Sequence, residues 1–197
     1  YNSDIFNYIA ADQNVDANSL IPDISSATDA AETPEDVMVS INIIANDSYT
    51  MNASIAISLT QPSNGSVSLQ GSGIVNYTPA KDFNGNDSFT YTITQGDKTS
   101  TSSVNIVINA VNDAPVINIA SYTPVKENQT SVSSTSSSDV DGDSLTFTLS
   151  GSDATSFSLT KVGVLSFISA PDYEVKKRYS ITISATDGTL TVSKDIT

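Results

Sequence analysis

The stretch DSFTYTITQ at residues 87–95 places apolar side chains at every second position, namely Phe89, Tyr91 and Ile93. The same spacing returns a few residues later at Val104, Ile106 and Ile108. Successive side chains of a β-strand point to opposite faces, so a period of two is typical of a strand with one buried face. Gly96-Asp97 is a turn signal between the two runs. We therefore predict two successive strands of an all-β fold here.

The same alternation extends over most of the chain in two series. The first series has its apolar positions at Val39, Ile41, Ile43, Ile55, Ile57, Leu59, Val67, Leu69, Val75 and Tyr77, before the stretch quoted above. The second series has them at Leu145, Phe147, Leu149, Phe157, Leu159, Val164 to Phe167, Tyr179, Ile181, Ile183, Ala185, Leu190 and Val192. Short strands of about five residues at about ten-residue spacing are typical of antiparallel β-sandwiches. The fold class that we predict is all-β, with tandem antiparallel Greek-key β-sandwiches.

The boundary between the two series is predicted at Asn112-Asp113-Ala114-Pro115, where Pro115 restricts the preceding residue to extended conformations. This assigns one β-sandwich to residues 32–113 and another to residues 114–197. Asp4-Ile5-Phe6-Asn7-Tyr8 repeats the pattern of residues 87–91. We therefore expect residues 1–31 to be the terminal hairpin remnant of a preceding repeat.

Composition excludes several classes of function. Twenty-two acidic residues against 8 basic ones give a formal net charge of −14, which would repel nucleic acid and anionic membrane surfaces. The chain contains no His and no Cys, which excludes His-dependent nucleophilic catalysis, zinc sites of the usual type and disulfides. No apolar run is long enough for a transmembrane helix, so we predict no direct membrane insertion. We predict no catalytic residues and no enzyme activity.

One loop concentrates carboxylates at the spacing of a calcium site. Asp139-Val140-Asp141-Gly142-Asp143 places three acids around a glycine, and such hard oxygen donors suit Ca²⁺. The same triplet occurs in helix-loop-helix calcium sites, but these require a following helix and a Glu at the twelfth loop position. Here the strand pattern of residues 145–149 follows instead. A helix-loop-helix site is therefore disfavoured.

The order of these motifs resembles a known family. Glu127, Asp139-Val140-Asp141, Gly163-Val164-Leu165, Asp172-Tyr173-Glu174 and Ala185-Thr186-Asp187-Gly188 follow the order of a cadherin repeat. Residues 32–113 resemble the cadherin-like repeats of large bacterial surface proteins, through Thr33-Pro34-Glu35-Asp36, Ala45-Asn46-Asp47, Tyr77-Thr78-Pro79 and Asp82-Phe83-Asn84-Gly85. The linker, Asn112 to Pro115, is similar to the cadherin interdomain linker, shortened by one Asn.

The resemblance implies Ca²⁺ as the cofactor, bound at the junction of the two complete repeats. It implies seven ligands, each with a side-chain oxygen: Glu35, Asp82, Asn112, Asp113, Asp139, Asp141 and Asp187.

Two further acidic regions of the chain lead to separate predictions about calcium binding. Asp29 is the only acid in the stretch 27–30, so we predict that the junction near residue 30 is poor in calcium. Glu127, Asp172 and Glu174 are expected to form half of a site that a following repeat would complete.

The resulting functional hypothesis is a calcium-rigidified repeat segment of a large bacterial cell-surface or secreted adhesin, acting as an extender and in adhesion. Adjacent repeats are the expected partners, and a polysaccharide or another cell-surface protein is the candidate external ligand. Filling of the sites is expected outside the cell, since extracellular calcium modules bind at roughly 10⁻⁴ to 10⁻³ M.

A carbohydrate-binding module attached to a polysaccharide-active extracellular protein is the alternative. It would need a row of exposed aromatic side chains on a sheet face, whereas Phe89, Tyr91, Phe147 and Tyr179 lie in phase with core positions and Trp is absent. The basic cluster Lys176-Lys177-Arg178 is interpreted as charge that discourages strand pairing between molecules.

Overall fold

The structure is a computed structural model, and it describes residues 23–50 and 54–197. The chain divides into two compact units, Tyr1–Val111 and Asn112–Thr197. The division falls two residues before the predicted end of the first sandwich at residue 113. The hairpin remnant predicted for residues 1–31 lies mostly outside the described residues.

The described residues of the first unit form seven strands in two sheets. Their bounds are β1 Asp29–Pro34, β2 Val39–Asn42, β3 Ala56–Leu59, β4 Gly65–Gly71, β5 Ile74–Pro79, β6 Gly85–Gln95 and β7 Lys98–Asn109. One sheet has the order β1-β7-β6-β3 and the other has the order β2-β5-β4. Residues 87–95 lie in β6, which forms a hairpin with β7 in which Phe89 pairs with Val104 and Gln95 with Lys98.

The core of the first unit lies between its two sheets. The alternating residues Phe89, Tyr91 and Ile93 of β6 are almost completely buried, as are Val75 and Tyr77 of β5 on the opposite sheet. Because both sheets contribute to one apolar cluster, the unit is a β-sandwich.

Strand β1 differs from its neighbours, because it pairs in parallel with the edge of β7, with Asp29 opposite Val104. The domain boundary predicted between residues 31 and 32 falls inside this strand. Its sequence, Asp-Ala-Ala-Glu-Thr-Pro, has no large apolar residue. Backbone pairing with β7 therefore holds it in place together with the small buried surfaces of Ala31 and Thr33.

The second unit contains six strands in two three-stranded sheets. Their bounds are β8 Ser131–Ser134, β9 Thr146–Ser150, β10 Phe157–Leu159, β11 Val164–Phe167, β12 Ile181–Thr186 and β13 Thr191–Ile196. The sheet orders are β10-β11-β8 and β13-β12-β9, and a single 3₁₀ turn spans Ala154–Ser156. Phe157, Leu165 and Phe167 from one sheet and Ile181 and Ile183 from the other are buried in a single cluster.

The predicted fold class is confirmed. Apart from the parallel pair β1–β7, the strand pairs of both units are antiparallel within the described residues, and each unit has its own core. In the described ranges there is no helix that is both long and apolar enough to cross a membrane.

Candidate calcium site

The loop 139–143 of the second unit is folded back on itself by its first carboxylate. Oδ1 of Asp139 accepts hydrogen bonds from the backbone N–H of Asp141 at 3.0 Å and of Asp143 at 3.4 Å. Gly142 has φ of +80°, a conformation that glycine adopts without steric cost, and its N–H donates to the Asp139 carbonyl. Carboxylate oxygens of Asp139, Asp141 and Asp143 lie within 4.8 Å of one another. The loop therefore presents three anionic oxygens to one point.

The second oxygen of Asp139 has no protein partner. Oδ2 is shielded from solvent and accepts no hydrogen bond from the part of the chain that the structure describes. An unsatisfied buried acceptor costs about 1–3 kcal/mol, and more when it is charged. A bound cation would remove this cost, so the donor set fits a metal ion better than it fits a solvated surface.

The linker residues are hydrogen-bonded to the same region of the second unit. The backbone N–H of Asp113 donates to Oδ2 of Asp141 at 2.8 Å. The Asn112 side-chain amide donates to Oδ2 of Asp187 at 2.9 Å and to the Asp113 carbonyl at 3.0 Å. All five residues predicted from the second unit and its linker thus belong to one neighbourhood: Asn112, Asp113, Asp139, Asp141 and Asp187.

Asp187 is held ionised by its hydrogen bonds. It lies in the turn between β12 and β13, where Oδ1 accepts from the N–H groups of Thr189 at 2.6 Å and Leu190 at 2.7 Å. The hydrogen bond from Asn112, followed by those from the two backbone groups, lowers the pKa of this carboxyl below its ordinary value. At neutral pH Asp187 therefore contributes a full negative charge.

The two ligands predicted from the first unit, Glu35 and Asp82, each have a bonding partner within that unit. Glu35 follows β1, is only 4% exposed, and accepts a hydrogen bond from the Val111 N–H at 2.5 Å. Asp82 has φ of +55° and pairs with the Lys81 ammonium at 2.5 Å, while its backbone N–H donates to Oδ1 of Asp36. The ion pair with Lys81 competes with any role of Asp82 as a ligand.

Two acids near these positions were absent from the predicted ligand set. Asp143 is the third carboxylate of the loop, and its spacing of two residues from Asp141 was the available signal. Asp36 contacts the backbone of Asp82 through its side chain, and no spacing rule indicated that contact.

A second acidic cluster occurs elsewhere in the second unit. Carboxylate oxygens of Glu127, Asp172 and Glu174, the three residues expected to form half a site, also lie within 4.8 Å of one another. All three side chains are exposed. The Asp172 carboxylate accepts from the N–H groups of Glu174 at 2.9 Å and Val175 at 3.3 Å.

The stretch near residue 30 contains a carboxylate pair beside a buried tyrosine. Tyr91 donates its hydroxyl to Oδ1 of Asp47 at 2.9 Å, with the Ala27 carbonyl at the same distance. Burial raises the pKa of Asp29, and the neighbouring charge of Asp47 raises it further. With two carboxylates instead of three, this group is poorer in charge than the loop 139–143.

Two all-β sandwiches in tandem, with acids gathered in the loops, define an Ig-like and cadherin-like repeat protein. Comparison with protein families matches residues 18–107 and 112–197 to the bacterial Ig domain, and the chain belongs to this family. The predicted resemblance to such repeats is confirmed.

Solved structures of similar fold include cadherin extracellular domains. Domains EC22–24 of mouse cadherin-23 are 21% identical with a TM-score of 0.53, over 88% of this chain and 62% of that one. Domains EC1–2 of human mucin-like protocadherin are 16% identical with a TM-score of 0.51, over 88% of this chain and 95% of that one. At these identities the likeness concerns the fold alone.

A curated relative is Protein GAMETE EXPRESSED 2 of Arabidopsis thaliana, 37% identical over 82 residues. These residues are 42% of this chain and 9% of that protein, so the match spans less than a tenth of the relative's length.

Proposed function

We propose that the chain is a calcium-binding repeat segment of an extracellular bacterial protein, in which it acts as a non-enzymatic extender. The observation that carries this proposal is the loop 139–143, where three carboxylates converge and one oxygen of Asp139 is buried without a partner. Oxygen donors of this kind select a hard cation, and Ca²⁺ accepts six to eight of them in flexible geometry.

The second unit and its linker supply most of the donors that such an ion needs. Asp139, Asp141 and Asp143 provide carboxylates, and Asp113 and Asp187 add two more. Asp113 is tied to this region through its backbone N–H, which donates to Asp141, and Asp187 through its carboxylate, which accepts from Asn112. That Glu35 and Asp82 also bind the ion stays a prediction. Bound calcium would hold Asn112 and Asp113 against the second repeat and so stiffen the connection that they form.

Two points support an extracellular role: the calcium affinity that is typical of extracellular modules, and the bacterial Ig family to which the chain belongs. Calcium sites of extracellular modules bind at roughly 10⁻⁴ to 10⁻³ M, so they fill outside the cell and stay empty in cytosol. Tandem bacterial Ig domains are suited to a spacer, because each repeat adds length while keeping its own core. We place the segment in a cell-surface or secreted adhesin for these reasons.

The proposal is tested by calcium titration calorimetry on the full chain after removal of metal by chelation. The test variant is Asp139→Asn/Asp141→Asn, since Asn keeps an acceptor for the loop hydrogen bonds while removing two charges. We expect binding in the parent near the extracellular range and a loss of at least about tenfold in the variant. Asp195→Asn is the matched control, an exposed acid on β13, and should bind as the parent does.

No saturable heat in the parent up to about 10 mM calcium would contradict the proposal. Equal calcium binding by the parent and the double variant would show that the ion does not bind at the loop 139–143. The cluster Glu127, Asp172 and Glu174 would then be the next site to examine.

A further inference from the structure

The second unit contains a cavity that the calcium site does not use. Its volume is about 420 Å³, within the range of roughly 300–1,000 Å³ that is typical of small-molecule sites. The buried rings of Phe157 and Phe167 form its floor, while Tyr173, Lys177 and Arg178 line it from more exposed positions. An apolar floor with a few polar groups around it is the usual composition of a ligand site.

The charge of the cavity is opposite to that of the molecule. The chain carries 22 acidic residues and only 8 basic ones, yet no acidic side chain is found among the described residues that line the cavity, and two of these residues are basic. Lys176 is paired with Asp153, whereas neither Lys177 nor Arg178 forms a salt bridge with any residue that the structure describes. The two unpaired cations therefore favour an anionic ligand.

Exposed tyrosine rings stand beside these cations. Tyr122 is 66% exposed and Tyr173 is 55% exposed, and both line the cavity. The Lys177 ammonium lies 5.0 Å from the centre of the Tyr173 ring, a cation–π contact that keeps charge and ring together. A tyrosine ring offers an apolar face and a hydroxyl, which suit the C–H face and the hydroxyls of a pyranose.

An extended peptide is a less suitable ligand for this cavity than a sugar. The backbone of Thr123 and Thr197, which line the cavity, is already paired, because the Thr123 N–H donates to the Thr197 carbonyl at 3.0 Å and the Thr197 N–H donates to the Ser121 carbonyl at 2.9 Å. Recognition of an extended peptide by strand addition needs a free backbone edge. The cavity therefore favours a ligand that is recognised through side chains.

We propose that this cavity binds a uronate-containing oligosaccharide. Its carboxylate would pair with Arg178, whose planar guanidinium matches a carboxylate, and with Lys177, while one sugar ring packs on Tyr173. The site differs from a row of exposed aromatic residues on a sheet face, because its exposed rings, Tyr122 and Tyr173, lie outside the strands. It requires no metal.

The test is calorimetric titration of the full chain with trigalacturonate in the presence of EDTA, which removes any contribution of calcium. Fully methyl-esterified trigalacturonate is the matched ligand, since it keeps the rings and loses the charges. We expect saturable binding of the acid and an affinity for the ester that is lower by at least about tenfold.

The variant Lys177→Gln/Arg178→Gln should weaken binding of the acid by at least about tenfold, and Tyr173→Ala should weaken binding of the acid and ester alike. Lys161→Gln, an exposed basic residue of the same unit outside the cavity, should bind as the parent does. These side chains are exposed, and circular dichroism checks that each variant is folded.

Absence of saturable heat up to about 10 mM trigalacturonate would overturn the proposal, as would equal affinity for acid and ester. Tighter binding of an acidic peptide such as hexaglutamate would also overturn it in favour of a protein ligand.

Discussion

Asp87 is a buried acid in the first unit whose carboxylate has several donors. It accepts the Tyr77 hydroxyl at 2.8 Å and the backbone N–H groups of Asn64 at 3.0 Å, Ser88 at 2.9 Å and Ser63 at 3.3 Å. Burial and the contact with Asp87 together raise the pKa of Tyr77, so the phenol stays protonated and remains a donor. The carboxylate thereby joins the turn before β4 to strands β5 and β6.

Tyr77→Phe should destabilise the first unit by roughly 1–3 kcal/mol, because a buried charged acceptor loses its side-chain donor. Asp87→Ala should cost more, since it leaves the Tyr77 hydroxyl and the turn amides without their acceptor. Urea unfolding curves measure both differences. A Tyr77→Phe chain as stable as the parent would show that the hydroxyl contributes nothing to the fold.

An acid whose pKa is lowered on folding stabilises the folded state at neutral pH, whereas Asp29 destabilises it there. Its pKa is raised above the ordinary 3.8, chiefly by burial, so ionisation is less favourable in the folded state than in the unfolded state. The folded state is therefore favoured at low pH, and this contribution is lost as pH rises through the raised pKa.

Asp29→Asn should accordingly stabilise the first unit at neutral pH, because the variant has no charge to bury beside Asp47. The difference should vanish below pH 3.8, where both chains are uncharged at this position. Denaturant unfolding across pH 3–7 in EDTA measures it. A difference that is constant with pH would mean that the effect does not come from ionisation.

At the scale of strands, Gly151 permits the close approach of β9 and β12. It has φ of +103°, and a Cβ atom there would lie 2.9 Å from Cα of Ile181 and 3.1 Å from the Ser180 carbonyl. These are backbone atoms, which cannot move aside without moving the strand. Gly188 has a similar φ of +106° but no atom within 4 Å of the same position.

Gly151→Ala should therefore destabilise the second unit more than Gly188→Ala does. Both substitutions add backbone strain of about 1–3 kcal/mol, and only Gly151→Ala adds a steric term of about 1–3 kcal/mol. Thermal unfolding in EDTA compares them. Equal losses of stability would contradict the close packing of β9 against the start of β12.

Strands with alternating apolar residues were predictable, and strands held by backbone pairing were not. Phe89, Tyr91 and Ile93 are nearly fully buried, as their spacing predicted. In contrast, β1 and the serine-rich β8 carry little apolar signal, since hydrogen bonds to β7 and β11 place them. Periodicity reports side-chain burial and is silent on a polar edge strand.

The candidate site was predictable in its residue types but not in its internal hydrogen bonds. The spacing of Asp139 and Asp141 indicated converging carboxylates, and the structure brings them together with Asp143. The spacing could not show that Asp139 uses one oxygen for backbone amides and leaves the other unpartnered. It also could not show that Lys81 pairs with Asp82, because neighbouring side chains can point in different directions.

For the whole molecule, the account predicts that calcium stabilises the two units unequally. An ion that binds only the folded second unit adds about 2.7 kcal/mol at 100 times the dissociation constant. In a unit of this size that corresponds to a rise in Tm of roughly 10 °C or more. Differential scanning calorimetry with and without calcium measures the rise, and the Gly151→Ala chain identifies which transition belongs to the second unit.

The first unit's transition should move less, since its two carboxylates near residue 30 are a weaker donor set. The Asp139→Asn/Asp141→Asn chain should lose most of the rise. A rise of the same size in that chain would place the stabilising ion outside the loop 139–143.

The most direct test of calcium binding by this repeat is an NMR titration of the uniformly ¹⁵N-labelled chain with calcium, starting from chelated protein. The account predicts saturable shifts of the backbone amides of Asp141, Gly142, Asp143 and Asp113 and of the turn at Thr189, reaching half-saturation near 10⁻⁴ to 10⁻³ M. Amides of this loop that do not move up to about 10 mM calcium, or that move only in proportion to added salt, would contradict it.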